Sequence, residues 1–484
     1  MSEIIRLSVP QRRRTVSVCV GDLKIGGSHP VRLQTMANVS TNDVPAAISQ
    51  ALRCAEAGAE LFRFTTQGER EVESARLIRE RLRSEGCYMP LVADVHFRAD
   101  VADKAAAVVE KVRINPGNYI DPARKFVHID YTDEEYHSEL QRLRERFTRL
   151  LDICRTHHTA LRLGVNHGSL SDRIMSRYGD TPAGMAESCM EFLRVAKEQG
   201  FEDIVLSVKS SNTRVMVDTV RLLVSQMDKE GMAFPVHLGV TEAGEGEDGR
   251  IRSAVGIGAL LAEGIGDTVR VSLSEEPEQE LPVAGALVDY FYSDDSIRYQ
   301  SGNLQCTVEN DGQPVVSHRS GQPDWNLFVL QASAECGRLL WKTGSDGSRP
   351  RLQLFNPHFP DVQLRQLEKN ILQGAGIMRY KTEFVSCPGC GRTLFDLQQT
   401  VAAIKSAMSD SKFSPQPLKI GVMGCIVNGP GEMADADYGY VGAARGRISL
   451  YRGKECIEQN IPEEEAVTRL IRLIQEDKFA GKMQ

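Results

Sequence analysis

Residues 200–241 read GFEDIVLSVKSSNTRVMVDTVRLLVSQMDKEGMAFPVHLGVT, and this stretch gives the clearest indication of the fold. A run rich in valine, leucine and isoleucine at 204–211 is followed by a helical pattern at 214–229 and a second apolar run at 236–241. A strand, a helix and another strand in this order predict a β–α–β unit of a parallel sheet. Gly200 lies where a preceding helix would end, and it suits the left-handed cap of such a helix.

The same alternation continues on both sides of this unit, from about residue 30 to residue 290. Helical segments such as 44–57 and 184–199 separate the strand candidates, and several end at a glycine, as at Gly58 and Gly264. The eight candidates lie at 31–36, 61–66, 91–97, 111–115, 161–167, 204–211, 236–241 and 268–273. Eight such units over roughly 250 residues predict an α/β fold of the (β/α)8 TIM-barrel type. A doubly wound open sheet is the alternative, but no Gly-x-Gly-x-x-Gly follows the first strand to favour it.

The rest of the chain departs from this alternation. Between 293 and 375, glycine, asparagine and aspartate interrupt short apolar segments, and this pattern predicts a small insertion. Its role is unknown, and we interpret it as a structural spacer. From 376 onward an apolar strand at 419–423, two further β-like runs and a closing helix predict a compact α+β unit. We therefore divide the chain into a barrel at 1–292, the insertion at 293–375 and a C-terminal domain at 376–484.

Composition narrows the class of protein. The 484 residues carry a net charge of −7, so no overall basic field indicates nucleic acid as a partner. No apolar stretch reaches the length of a membrane span or of a signal peptide, so we expect a soluble, cytoplasmic protein with no membrane partner. Eleven scattered cysteines in such a protein indicate reduced thiols or metal ligands instead of a disulfide framework.

Polar side chains recur at the carboxyl ends of the predicted strands, where barrel enzymes place their catalytic residues. Many lie two residues apart and so point to the same face of a strand. They are Arg63, Asp94, His96, Arg113, Asn115, Arg162, Asn166, Ser207, Lys209, Thr241, Glu242, Arg270 and Ser272.

Any one of these residues could lie on a solvated strand face, but barrel strands are covered on both sides. Five strands each carry a cation in the same relative position, and together they predict a pocket for a multiply charged anion such as a diphosphate. Asp94 could orient His96 or form an ion pair with an arginine, and Glu242 could move a proton.

Three cysteines form a second group of candidate functional residues. Cys387 and Cys390 make a Cys-x-x-Cys pair, and Cys425 follows in a glycine-rich segment that contains Glu432. An iron–sulfur cluster with three thiolates and Glu432 as a weaker fourth ligand fits this set best. A zinc site, which would need a fourth Cys or His nearby, and a redox dithiol, which would leave Cys425 unexplained, are the alternatives.

Five segments then resemble one family. They are ADVHF (93–97), RINPGN (113–118), GVNHGSL (164–170), TEAG (241–244) and GCIVNGPGE (424–432). These motifs are long and specific, and they are similar to those of the 4-hydroxy-3-methylbut-2-enyl diphosphate synthases, the reductive enzymes of the non-mevalonate isoprenoid (terpenoid) pathway. The resemblance covers nearly the whole chain except about 293–365, and it is strongest to the longer form of plants and some bacteria.

The resemblance implies an oxidoreductase that opens the ring of 2-C-methyl-D-erythritol 2,4-cyclodiphosphate with two electrons and loss of water. It implies a 4Fe–4S cluster held by Cys387, Cys390, Cys425 and Glu432, with ferredoxin or flavodoxin as the electron donor. It also implies a homodimer and a proton-transfer role for Glu242. The family's anion-binding residues match Arg63, Arg113, Arg162, Lys209 and Arg270, and Asn115, Asn166, Ser207 and Ser272 would assist them.

One departure from the longer form concerns the insertion. The longer form carries a large domain between barrel and cluster domain, whereas here about 80 residues occupy that place, too few for another barrel. The sequence therefore leaves open whether the cluster domain closes over its own barrel or over that of another subunit. A non-redox lyase that uses the iron as a Lewis acid and a cluster-based sensor remain the alternative functions.

Overall fold

The computed structural model describes residues 3–5, 11–120, 130–293, 303–308, 313–344, 348–408, 417–427, 429–433 and 435–479. Three short strands precede the barrel, namely β1 (Glu3–Ile5), β2 (Ser17–Val20) and β3 (Leu23–Gly26). Strands β2 and β3 form an antiparallel hairpin. Its apolar side chains pack against the first inward-facing residues of the barrel strands, such as Leu61 and Val92, and so close the amino end of the barrel.

Eight parallel strands form the barrel. They are β4 (Arg32–Met36), β5 (Leu61–Thr65), β6 (Leu91–Asp94), β7 (Lys111–Ile114), β8 (Ala160–Asn166), β9 (Ile204–Lys209), β10 (His237–Leu238) and β11 (Thr268–Val269). Strand β11 pairs with β4, and a parallel bridge between Leu206 and Val236 joins β9 to β10 and closes the ring. The predicted barrel is confirmed and the open doubly wound sheet is wrong. Strands β10 and β11 are shorter than predicted.

Helices alternate with these strands and cover the barrel. They are α1 (Val44–Glu56), α2 (Glu69–Ser84), α3 (Ala99–Ala106), α4 (Asp133–His157), α5 (Asp172–Tyr178), α6 (Pro182–Glu198), α7 (Thr213–Lys229), α8 (Gly246–Leu261) and α9 (Glu280–Tyr292). Polar side chains cap several of them. Asn212 accepts from the Val215 amide at the start of α7, for example. The glycines predicted to end helices, Gly58, Gly200 and Gly264, have the expected positive φ of 99°, 62° and 75°.

The region between barrel and C-terminal domain forms a small sheet with two helices. Its elements are β12 (Asn303–Val308), β13 (Pro314–Arg319), α10 (Trp325–Thr343), β14 (Arg351–Phe355) and α11 (Asp361–Gly374). Strand β1 from the N-terminus joins this sheet at its edge beside β12. The apolar pieces at 327–330 and 339–341 belong to one long helix, α10, which packs against α8 of the barrel. The apolar side chains of this region and those of the barrel form one continuous core.

The C-terminal domain is a five-stranded sheet with its own core. Its elements are β15 (Glu383–Ser386), α12 (Leu397–Met408), β16 (Lys419–Met423), α13 (Gly429–Glu432), β17 (Tyr438–Ala444), β18 (Arg447–Arg452), β19 (Glu455–Pro462) and α14 (Glu463–Phe479). Strands β15, β16 and β17 are parallel, and β18 and β19 continue the sheet in antiparallel fashion. The segments that carry the three cysteines follow β15 and β16, so both emerge from the same edge of the sheet. In the described part of the chain, no helix is both long and apolar enough to cross a membrane.

The contact between α8 and α10 depends on Gly258. A Cβ atom at Gly258 would lie 2.4 Å from the Cβ and 2.8 Å from the Cα of Ala334, so the two helices would have to separate. We expect Gly258→Ala to lower the free energy of unfolding by about 1–3 kcal/mol, the usual cost of overpacking a core. Urea denaturation measures this change.

Gly285 in α9 provides the matched control, since a Cβ there would meet only Leu33, at an ordinary 3.7 Å. Gly285→Ala should raise the free energy of unfolding by up to about 1 kcal/mol, because alanine favours a helix interior over glycine. Equal stabilisation by both substitutions would contradict the tight packing of α8 on α10.

Candidate active site

A pocket of about 730 Å³, counting the part open to solvent, lies at the carboxyl ends of the barrel strands. The C-terminal domain covers it, so one wall belongs to the barrel and the other to the segments after β15 and β16. Barrel residues in the wall include Arg63, Asp94, Arg113, Arg162, Asn166, Lys209, Thr241, Glu242, Arg270 and Ser272. The facing wall includes Cys387, Cys390, Arg392, Thr393 and Cys425. The structure therefore brings together the two groups of residues that the sequence indicated separately.

Asp94 lies among three guanidinium groups. Its carboxylate is 2.9 Å from Arg63, 2.8 Å from Arg113 and 3.2 Å from Arg392. Burial alone would raise the pKa of Asp94, but Arg63 and Arg113 lower that pKa well below its ordinary value. Asp94 is thus a charged counterion, which corresponds to the ion-pair alternative that the sequence left open.

His96 lies behind this cluster and is not among the residues that line the pocket. Its Nε2 is in contact with Arg113, and because a guanidinium can only donate, Nε2 accepts this hydrogen bond. Burial and the positive charge of Arg113 lower the pKa of His96 to about 3. His96 is therefore neutral, and its position is that of a support for Arg113.

The pocket cations differ in how their charge is compensated. Arg113 also donates to the Gly164 carbonyl and to Asn166 Oδ1, each at 2.7 Å. Arg270 forms a two-pronged ion pair with Glu280 at 3.0 Å. Both guanidinium groups are thus held in place by acceptors of the barrel itself.

Arg162 and Lys209, by contrast, have no carboxylate within ion-pair distance in the described part of the chain. Arg162 is 1% exposed, and its Nε and one terminal nitrogen have no hydrogen-bond partner. Burial lowers the pKa of both groups well below the ordinary values, and neighbouring pocket cations lower each further. Buried positive charge without a counterion is costly, so this end of the pocket is suited to an anion.

Asn115 and Ser207 are fully buried beside the pocket without lining it. Asn115 Oδ1 accepts from the Gly117 amide at 3.0 Å and so shapes the turn after β7. The Asn115 Nδ2 and Ser207 Oγ atoms have no partner. Thr241 and Ser272, by contrast, line the pocket directly.

Glu242 lies at the rim with an unusual backbone. Its φ is +50°, a conformation that costs a non-glycine residue on the order of 1–3 kcal/mol and that the surroundings must enforce. Arg252 of α8 donates to the Glu242 carbonyl at 3.3 Å and pairs with Glu383 of β15 at 2.9 Å. Burial raises the pKa of Glu242 to about 7, against the lowering effects of Thr241 and Lys209. Glu242 can therefore hold a proton near neutral pH.

The three cysteines face these groups. The Gly424 amide donates to the Cys387 sulfur at 3.2 Å, a contact that also suits a thiolate. Burial raises the pKa of the Cys387 thiol, so an ion or cluster that binds there must displace the proton. Among the described residues, no three Cys, His, Asp or Glu side chains converge on one point as a single metal ion requires.

Glu432, in α13 of the C-terminal domain, is not among the residues that line the pocket but lies next to it, against the barrel. It is 1% exposed, Asn166 donates to its Oε1 at 2.6 Å, and its Oε2 has no partner. Burial raises the pKa of Glu432 well above its ordinary value. Three thiols and a buried carboxylate oxygen without a partner are a donor set that fits an iron–sulfur cluster, which spreads its ligands over several irons.

The contacts that hold the C-terminal domain against the barrel lie within one chain. Ser211 Oγ donates to the Glu432 carbonyl at 2.8 Å, and Ser274 Oγ is 2.7 Å from Ser386 Oγ. Gly168 and Gly431 touch through their backbones, because a Cβ at Gly168 would lie 2.3 Å from the Gly431 Cα. In this structure the C-terminal domain thus covers the barrel of its own chain.

Sequence reasoning missed two residues, Arg252 and Arg392. Arg252 lies on a helix that is buried nearly all round, so its pattern carries no signal. Arg392 follows the Cys-x-x-Cys pair by two residues, and that proximity was the one signal that could have drawn attention to it.

Comparison with known proteins agrees with this geometry. Residues 15–285 match the model of the GcpE TIM-barrel domain, and residues 383–476 match that of the GcpE protein C-terminal domain. The chain is similar to proteins named "4-hydroxy-3-methylbut-2-en-1-yl diphosphate synthase (flavodoxin)" from three bacteria. Identity is 44% with that of Parabacteroides distasonis, 45% with that of Bacteroides fragilis and 40% with that of Akkermansia muciniphila.

These alignments cover 96% of the chain in each case and 98%, 95% and 96% of the respective relatives. The first alignment runs over 607 positions, more than the 484 residues of this chain, so that relative carries stretches that are missing here.

Proposed function

Because the chain belongs to the GcpE family of 4-hydroxy-3-methylbut-2-en-1-yl diphosphate synthases, we infer that it is an oxidoreductase of isoprenoid precursor biosynthesis. It opens the ring of 2-C-methyl-D-erythritol 2,4-cyclodiphosphate to give 4-hydroxy-3-methylbut-2-enyl diphosphate. The reaction consumes two electrons and two protons and releases one water. The observation that carries this function is a pocket in which barrel cations without counterions face three cysteines of the same chain.

We propose that Cys387, Cys390, Cys425 and Glu432 hold a 4Fe–4S cluster. When bound, the cluster supplies the two electrons one at a time. The Gly424 amide stabilises negative charge on the Cys387 sulfur, and Asn166 fixes the Glu432 carboxylate so that its second oxygen stays available. The C-terminal domain covers the space between these ligands and the barrel.

The barrel residues bind and orient the substrate. Arg162 and Lys209 hold the diphosphate, since their charge is not compensated by the protein, and Arg63, Arg113 and Arg270 complete the cationic floor. Asn115 and Ser207 support this floor from behind, and Thr241 and Ser272 contribute hydroxyl groups. Asp94 and His96 hold Arg113 in place and do not themselves exchange protons, because Asp94 stays charged and His96 stays neutral.

Glu242 is proposed to donate a proton to the departing hydroxyl group. We expect Glu242→Gln to lower kcat by about 100-fold or more, the usual contribution of a general acid. The protonated form is the active one and its pKa is raised to about 7, so kcat of the wild type should fall as the pH rises through about 7. The variant should lose this pH dependence. Anaerobic assays across that range measure both effects.

Glu245→Gln is the matched control, since Glu245 lies on the same loop and pairs with Lys405 at the surface. Its kcat and its pH profile should stay within about twofold of the wild type, as surface ion pairs contribute little. A Glu242→Gln variant with the wild-type profile would show that another group donates the proton.

We propose flavodoxin as the electron donor, with ferredoxin as the alternative, because the similar proteins carry flavodoxin in their names. The homodimer also remains a proposal. The cytoplasmic location and the three-part division at 293 and 376 remain proposals as well. Support for the location comes from buried thiols such as Cys54, Cys154 and Cys189, which form no disulfide.

An anaerobic assay with the cyclodiphosphate tests the function directly. Reduced flavodoxin and reduced ferredoxin are compared as donors, and 4-hydroxy-3-methylbut-2-enyl diphosphate is the expected product. Turnover without any reductant would instead indicate a non-redox lyase, and binding of the substrate without turnover would support a sensor.

A further inference from the structure

Arg392 crosses from the C-terminal domain into the barrel. Both of its terminal nitrogens lie 3.2 Å from Asp94 Oδ2, and one of them also donates to the Asp94 carbonyl at 3.1 Å. Arg392 is 8% exposed and Asp94 is fully buried. The guanidinium thus lies in the pocket wall between the barrel cations and Cys390.

The contact is unusual among those that join the two domains. Lys405–Glu245 and Lys381–Asp248 are half-exposed ion pairs, which water and salt screen. In the described residues, two ion pairs across this boundary are shielded from solvent: Arg392–Asp94, in which both side chains are buried, and Arg252–Glu383, in which the Glu383 side chain is 13% exposed. Of these two, only Arg392 lines the pocket. Separation of the domains would leave its acceptor, Asp94, with two cations instead of three.

Asp94 also connects Arg392 to the bound anion. Its Oδ1 accepts from Arg113, and its Oδ2 is shared by Arg63 and Arg392. Because Arg63, Arg113 and Arg392 all line the pocket, an anion bound there attracts cations of both walls at once. It thereby adds to the attraction across the boundary that Asp94 already provides.

We propose that Arg392 is a positioning residue that latches the C-terminal domain onto the barrel through Asp94, and that a bound diphosphate tightens this latch. The inference rests on the proposed function, because it assumes a diphosphate in the pocket. It assigns to Arg392 the task of holding the cysteine wall against the substrate, without a part in the chemistry.

Amide hydrogen exchange on the anaerobic, cluster-loaded full chain tests the proposal, with inorganic diphosphate as a probe that cannot react. In the wild type, diphosphate should slow exchange of the peptides that cover 91–97 and 386–394. Arg392→Gln should speed exchange of both peptides by about tenfold or more and abolish the response to diphosphate, since one partner of a buried pair is lost. In parallel, kcat/KM for the cyclodiphosphate should fall by about 100-fold while the visible absorbance is retained.

Two further variants make the result decisive. Lys405→Gln removes an ion pair across the same boundary at the surface, and exchange and kcat/KM should stay within about twofold of the wild type. Arg392→Lys keeps the charge but not the forked geometry, so it should fold even if Arg392→Gln does not and should show a weakened response to diphosphate. A full wild-type response in Arg392→Lys, or unchanged exchange in Arg392→Gln, would overturn the latch. If the wild type does not turn over the cyclodiphosphate but diphosphate still slows its amide exchange, the proposed function is wrong and the latch is still supported.

Discussion

Replacement of Cys425 by serine is expected to abolish both the visible absorbance of the anaerobically purified protein and its turnover of the cyclodiphosphate. Among the described residues, Cys425 is one of three cysteines in the pocket wall, and the fourth proposed ligand, Glu432, is an oxygen donor. A serine hydroxyl is a far weaker ligand for iron than a thiolate, since soft metals in clusters select sulfur. Loss of one of three thiolates therefore removes the cluster, and with it the source of electrons.

Visible spectra, iron and sulfide content and anaerobic turnover measure this effect. Cys19→Ser is the matched control, because Cys19 is exposed on the hairpin at the opposite end of the barrel. This control should retain colour and activity. A Cys425→Ser protein with full absorbance, or a colourless wild type that holds zinc after anaerobic reconstitution, would contradict the cluster.

The largest effect on substrate binding is expected at Arg162. Arg113→Ala should weaken binding by at least about tenfold, since the charged hydrogen bonds that it offers are worth about 1.5–3 kcal/mol each. Arg113, however, is already bound by Asp94, Gly164 and Asn166, whereas Arg162 keeps two buried nitrogens without partners. Arg162→Gln removes a charge that the protein does not compensate, and two such bonds correspond to a loss of affinity of about 100-fold or more.

Calorimetric titration of the oxidised protein with the cyclodiphosphate measures this affinity in the absence of turnover. Arg32→Gln serves as the control, because Arg32 begins β4 at the amino end of the barrel and pairs with Glu60 at the surface. Its affinity should equal that of the wild type. Equal affinity for Arg162→Gln would show that the diphosphate lies elsewhere in the pocket.

The pocket residues could be found from the sequence because each depends on a local pattern. The strands of a barrel all end at one face. Polar residues that lie two apart at the strand ends therefore converge there, however the helices pack. The same holds for Cys387, Cys390 and Cys425, which follow strands at one sheet edge. The roles of Asp94 and His96 could not be predicted in this way. An aspartate that acts as a counterion and one that transfers protons occupy the same kind of position in the sequence.

The sequence alone is thus enough to predict the barrel, the C-terminal sheet domain and most of the charged residues that line the pocket. The arrangement in space is needed to see that the domain covers its own barrel, that side chains such as Val316 and Leu372 share the barrel core, and that Arg392 and Arg252 join the two walls. The reason is physical. Strand and helix periodicity arises from neighbours in the chain, whereas burial, ion pairing and the resulting pKa values depend on distances between residues hundreds of positions apart, such as Asp94 and Arg392.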